Sequence, residues 1–143
     1  MRHNTVKKSP FDIDNFLLTN DKRAYIEKVE KIEPFDWRLI IPMFKDEELM
    51  EAIIEKITDV NYPNFIGINL IHYVVKYGTV KMLEALIRRG ADINRRDVYR
   101  IQPIDYAVCA VRLDMISIFV DHDVEHGEIK YTIEGLLEKF NSI

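Results

Sequence analysis

The chain has 143 residues, 48% hydrophobic and 31% charged, enough apolar material for one compact domain under a charged surface. Its formal net charge of −4 gives no net basic field to draw it onto phosphate backbones, so no nucleic-acid partner is expected. The single cysteine, Cys109, excludes an intramolecular disulfide and a multi-cysteine zinc site and fits a reducing, cytoplasmic compartment.

In chain order, Met1 to Pro10 is followed by Phe11-Asp12-Ile13-Asp14-Asn15 rather than by the apolar run of a secretory signal. Charges or prolines interrupt every hydrophobic segment before the roughly 20 apolar residues needed to cross a bilayer, so no membrane partner is expected. A first helix is predicted from Lys22 to Ile32, capped by Asn20-Asp21 and carrying Tyr25, Ile26 and Val29 on one face. Beyond it, Trp37 and Pro42 occupy another helical segment, which Pro42 should kink or shorten because it lacks a backbone donor and clashes with the preceding turn.

From here the sequence repeats. Leu49-Met50-Glu51-Ala52-Ile53-Ile54 returns 33 residues later as Met82-Leu83-Glu84-Ala85-Leu86-Ile87, and Asp59-Val60-Asn61 returns at the same interval as Asp92-Ile93-Asn94. A third copy keeps the phase: Asn69-Leu70-Ile71-His72 maps onto Gln102-Pro103-Ile104-Asp105, and Leu83, Leu86 and Ile87 onto Ile116, Phe119 and Val120. Each unit reads as two short helices. In the middle one Asn69 caps a helix with Ile71, Val74 and Val75 on one face, which Gly78 stops. Val80, Leu83, Leu86 and Ile87 then line a second helix, which Gly90 ends in a left-handed conformation. Burying each of these side chains stabilises by about 1.5 to 3 kcal/mol, yet one helix pair offers too little apolar surface to fold alone, so neighbouring pairs must stack. A last helix is predicted from Thr132 to Phe140, with Ile133, Leu136, Leu137 and Phe140.

The middle unit, with Gly67, Asn69-Leu70-Ile71-His72, Gly78 and Leu86-Ile87-Arg88-Arg89-Gly90-Ala91-Asp92-Ile93-Asn94, resembles the ankyrin repeat. The resemblance implies an all-α fold, an ankyrin-repeat solenoid of stacked helix pairs with divergent helical caps at both ends. Its divisions would be a tail and helical cap at 1–30, a divergent repeat at 31–63, repeats at 64–96 and 97–129, and a capping helix at 130–143. The unit at 97–129 keeps Asp97, Pro103-Ile104 and Tyr106-Ala107 but carries Val111 and Asp123 where the middle unit has glycines.

The resemblance also implies a function, protein–protein interaction, through the turn tips and inner helices that form the family's concave face. The residues so placed are Phe65, Ile66, Ile68, Tyr73, Lys76, Tyr77, Arg95, Arg96, Val98, Tyr99, Arg100, Ile101 and Tyr106, with Cys109 beside them. Tyr and Arg are frequent interface anchors, and Arg88, Arg89, Arg95, Arg96, Tyr99 and Arg100 fall within thirteen positions. The competing readings are a solvated charged face and packing between repeats. The expected partner is another protein of acidic or mixed charge, bound by a chain that is a monomer when free, as in an immunity protein, an inhibitor or an effector.

A catalytic role has less to stand on. His72 and Asp105 occupy helix starts, where they would hydrogen-bond backbone groups, and no nucleophile with a recognisable local signature accompanies them. The alternative is a small metal-dependent or redox enzyme using Cys109 or the Asp121–Glu128 run, where His122 and His126 are four apart, a spacing that shares a face only on a continuous helix. A solvated loop is the simpler account of that run. Cys109, between Val108 and Ala110, is expected to be a buried or half-buried thiol. No glycine cluster cradles a phosphate, and no cofactor is expected.

Overall fold

The computed structural model describes residues 24, 27, 37–64, 66–122 and 124. Ala24 and Glu27 are helical. The rest of the helix predicted at 22–32, and all of the one at 132–140, lie outside the described residues.

A 3-10 helical segment, Trp37–Lys45, comes first. Helices α1 (Glu47–Lys56), α2 (Leu70–Tyr77), α3 (Val80–Arg88), α4 (Pro103–Cys109) and α5 (Leu113–Asp121) follow, with no regular strand among the described residues. The starts Trp37, Leu70 and Pro103 lie 33 residues apart, and so do Glu47, Val80 and Leu113. The repeated sequence thus becomes a repeated helix pair. Pro42 sits inside the 3-10 segment, where its missing N–H breaks the ladder of an α-helix.

Local chemistry sets the boundaries. Asp46 Oδ1 accepts from the Leu49 N–H at 3.1 Å, and Glu47 and Glu48 place negative charge in the first turn of α1. Thr79 caps α3 in the same way through Met82 N–H. Pro103 opens α4 at a position whose N–H has no helical partner. At the end of α3, Gly90 turns left-handed at φ 84°. Its N–H reaches the Ile87 carbonyl and that of Ala91 the Leu86 carbonyl, the paired closure that spares the last turn its free acceptors.

The helices stack in two layers. The 3-10 segment, α2 and α4 pack side by side in one, and α1, α3 and α5 in the other, with α2 on α3 and α4 on α5 joining them. Because α2 has neighbours on both flanks and α3 beneath, Leu70 through Val75 are all buried, a wider face than the Ile71, Val74 and Val75 stripe. The same holds for α3, where Met82 and Ala85 join Leu83 and Leu86 in the core. Phe119, Met50, Ile53, Ile54 and Ile57 are fully buried too, so one apolar core runs through the described units. Polar staples cross the outer layer: Arg89 donates to the Ile54 and Ile57 carbonyls, filling acceptors that the end of α1 leaves open.

Candidate partner-binding face

Two turns of the same construction link the helix pairs on the inner side. In the first, Asn64 Oδ1 accepts from the N–H groups of Ile66 and Ile68, and Asn64 Nδ2 donates to the Tyr73 hydroxyl at 3.0 Å. In the second, 33 residues on, Asp97 Oδ1 accepts from the N–H groups of Tyr99 (2.8 Å) and Ile101 (3.0 Å), and Asp97 Oδ2 accepts from the Tyr106 hydroxyl. Each turn also closes on its own backbone, Asn64 N–H to the Ile68 carbonyl and Asp97 N–H to that of Ile101, both at 2.9 Å. A buried polar group with no partner would cost about 1 to 3 kcal/mol, and the bonds of Asn64 and Asp97 fix the turn tips. Burial, reinforced by Asp97, pushes the Tyr106 phenol well above its usual range, so this hydroxyl stays a donor.

His72 locks the second turn to α2. Its Nδ1 accepts from the Asn69 N–H at 3.2 Å, in a capping box at the start of α2. Its Nε2 faces the Arg95 carbonyl at 2.9 Å. With one nitrogen accepting from an N–H and the other facing a carbonyl, the imidazole is neutral with its proton on Nε2. Burial lowers its pKa below 6.5, against the opposing pull of the Arg95 carbonyl and of Asp97. The ring also meets Tyr106 edge-on, with centroids 6.0 Å apart. Asp105 plays the equivalent role in the next unit, accepting from the Gln102 N–H at 3.0 Å. Both residues are spent on helix starts, as their positions in the sequence imply.

The side chains around these turns divide by depth. Tyr73 is buried, and Ile66, Ile68, Ile101 and Tyr106 are half-buried. They form the floor. Lys76, Tyr77, Arg95, Arg96, Val98, Tyr99 and Arg100 are exposed, Tyr77 at 52%, Val98 at 57% and Tyr99 at 68%. Phe65 lies outside the described residues. Lys76 Nζ stands 5.1 Å from the Tyr106 ring centroid and 5.6 Å from that of Tyr77, within cation–π range. The contact with Tyr106 joins the exposed end of α2 to α4.

Cys109 corrects an expectation: it is exposed, not buried. The buried face of α4 is Pro103, Ile104 and Ala107, and a residue two places beyond Ala107 points about 200° around the helix from it. In the run beginning at Asp121, His122 Nδ1 is bonded to the Ile118 carbonyl at 2.8 Å. Asp123 and 125–128 lie outside the described residues, so four of the proposed ligands, Asp123, Glu125, His126 and Glu128, are not placed. Among the described residues no group of three His, Cys, Asp or Glu side chains could hold a metal ion, and no helix is long and apolar enough to cross a membrane.

Sequence reasoning missed the buried Asn64 with Tyr73 and Asp97 with Tyr106, although both pairs are nine apart and recur at the repeat interval. That recurrence is the signal that could have found them.

Stacked helix pairs, joined by turns that hold exposed aromatic and cationic groups, define a helical-repeat scaffold. Residues 67–95 match the family model of the ankyrin repeat, so the chain contains an ankyrin repeat. It is 30% identical over 87 residues to the putative ankyrin repeat protein FPV244 of Fowlpox virus (strain NVSL), a match covering 59% of this chain and 13% of that protein. It is 31% identical over 91 residues to the E3 ubiquitin-protein ligase Ufd4 of Drosophila melanogaster, covering 64% of this chain and 3% of that one. The aligned part is thus a small fraction of either relative. No solved structure matches the chain.

Proposed function

We propose that this protein binds a partner protein through the face formed by the 64–68 and 95–101 turns and the exposed end of α2. The observation that carries the reading is the pairing of a rigid floor with exposed anchors. Hydrogen bonds from Asn64, Asp97 and His72 hold the turns, while Tyr77, Val98 and Tyr99 remain exposed. Exposed apolar groups on a pre-ordered backbone lose little entropy on binding, and large exposed apolar residues grouped together are a mark of interaction surfaces. Such a face acts by occlusion or recruitment, in the manner of an immunity protein, an inhibitor or an effector. The protein needs no cofactor or catalytic group for either.

The test begins with capture of a partner from the source cell and measurement of its affinity for the whole chain by calorimetry. Replacing Tyr77, Arg96 or Tyr99 by Ala should weaken binding by roughly 1 to 4 kcal/mol, the range of interface anchors. Replacing Lys81 or Glu84, exposed on α3 in the outer layer, should leave affinity unchanged. The reverse pattern would assign the interaction to the opposite surface.

A further inference from the structure

The charge of the inner face is opposite to that of the chain. The whole protein carries −4, yet Lys76, Arg95, Arg96 and Arg100 are all exposed. The acid among them, Asp97, is buried, with its oxygens occupied by Tyr99 N–H, Ile101 N–H and the Tyr106 hydroxyl. Asp92, the nearby exposed acid, accepts from the Asn94 N–H of its own turn.

Two of these cations are positioned. Arg96 Nη1 donates to the Arg100 carbonyl at 3.0 Å, which orients the guanidinium and leaves further N–H groups for a ligand, and Lys76 rests against two aromatic rings. Arg100 itself adopts φ 62°, at the place where the preceding turn has Gly67 at φ 79°. The left-handed conformation is unfavourable for a residue with a side chain, and strain held by surrounding bonds is a frequent feature of ligand-contacting turns. The cost places a guanidinium at the tip instead of bare backbone.

Between the cations stand the apolar surfaces of Tyr77, Val98 and Tyr99. A duplex nucleic acid would ask for an unbroken cationic track and would meet the repulsion of a chain at −4. Carboxylates on a peptide act at short range, match the guanidinium fork two oxygens at a time, and alternate readily with apolar side chains. From this pattern we infer that the face takes an acidic segment of its partner, with carboxylates on Arg96, Arg100 and Lys76 and an apolar side chain against Tyr77, Val98 and Tyr99. The inference rests on the protein-binding reading of this face and adds the partner's chemistry.

Random peptides displayed on phage and selected against the whole chain provide the probe, with affinities of the selected peptides then read by fluorescence anisotropy. The selected sequences should be rich in Asp and Glu around an apolar residue. Their dissociation constants should rise roughly tenfold or more for Arg96→Glu combined with Arg100→Glu, and should rise with salt. Arg100→Gly keeps the test independent of folding, since it relieves the left-handed strain and should weaken binding while raising Tm. Lys81→Glu, in the outer layer, should change nothing. Selected peptides of neutral or basic composition, weakened by Tyr77→Ala and Tyr99→Ala but indifferent to the charge reversals, would overturn the acidic segment and leave the protein-binding face standing. Peptides indifferent to all of these variants would remove the face itself. A short DNA duplex bound as tightly as the best peptide, with the same arginine dependence, would overturn the inference in favour of nucleic acid.

Discussion

The unit at 64–96 and the one that follows it solve the same backbone problem with different residues. At the turn tips, Gly67 and Arg100 take nearly the same left-handed φ, 79° and 62°. The shared bonds from Asn64 and Asp97 impose that conformation on both. At the ends of α2 and α4 the two units diverge. Gly78 has φ −97°, a value open to any residue, and it is needed for room: a Cβ there would lie 2.9 Å from Met82 Sδ and from the Val74 carbonyl oxygen. Its counterpart Val111 has no glycine's freedom, yet turns left-handed at φ 53°. There the Val111 N–H closes on Val108 and that of Arg112 on Ala107. Losing the small residue forces a different exit from the helix, and the displaced side chain ends 58% exposed. One glycine serves conformation and the other serves space.

The largest break in this comparison should come from the shared core. Leu83→Ala, at a fully buried position, should cost about 2 to 5 kcal/mol through lost burial and the cavity it leaves. Urea unfolding measures it, and a loss of a few tenths would mean that α3 is not central to the stack. Gly78→Ala should cost about 1 to 3 kcal/mol by overpacking, whereas Val111→Ala at the equivalent place should be close to neutral in the same assay.

Acid should distinguish the units as well. His72 is neutral in the fold with its pKa lowered by burial, while an unfolded histidine titrates near 6.5. Below that pH the unfolded chain binds the extra proton, so stability is complete above about 6.5 and falls as the pH drops toward the folded pKa. Urea midpoints across this range should show the decline, and His72→Gln should remove this part of it. The smallest effect sharpens the comparison from the other side. Val111→Gly should stabilise by about 1 kcal/mol, because the strain removed exceeds the added freedom of the unfolded chain. No gain in midpoint would mean that the left-handed closure of α4 is not strained.

Much of this was legible in the sequence. The interval between Leu49-Met50 and Met82-Leu83 set the phase of the repeated helices, and the resemblance to the ankyrin repeat placed Tyr77, Val98 and Tyr99 on the inner face, where they are exposed. Tyr73 was assigned to the same face and is buried, because its hydroxyl is drawn down to Asn64. A pattern of apolar spacing carries no information about that bond. Periodicity likewise underestimates burial in α2 and α3, since it marks the side facing the core but not the flanks that neighbouring helices cover. The exposure of Cys109 was legible in principle, from its angle to Ile104 and Ala107. Val111 was visible as a missing glycine, while its backbone conformation depends on bonds made after the helix has formed.

Asn61 gives the repeat interval a physical origin. Its Nδ2 donates to the Gly90 carbonyl, its Oδ1 accepts from the Asp92 N–H, and its own carbonyl accepts from Asn69 Nδ2. A few residues further on, His72 faces the Arg95 carbonyl. The segment from Gly90 to Arg95 is therefore pinned at three points, two on Asn61 of the unit before it and one on His72 at the start of its own unit, and its length is metered. One residue added or removed there would carry at least one pin out of reach and turn every later helix away from the stack. Between α4 and α5 the exposed bend at Val111 carries a cross-unit bond from the long Arg112 side chain to the Val75 carbonyl, at 3.0 Å, and a flexible side chain can follow a shift that backbone pins at the joint would not. Spare length, whether from insertion, tagging or a grafted loop, belongs at such bends inside a unit and not at the joints between units.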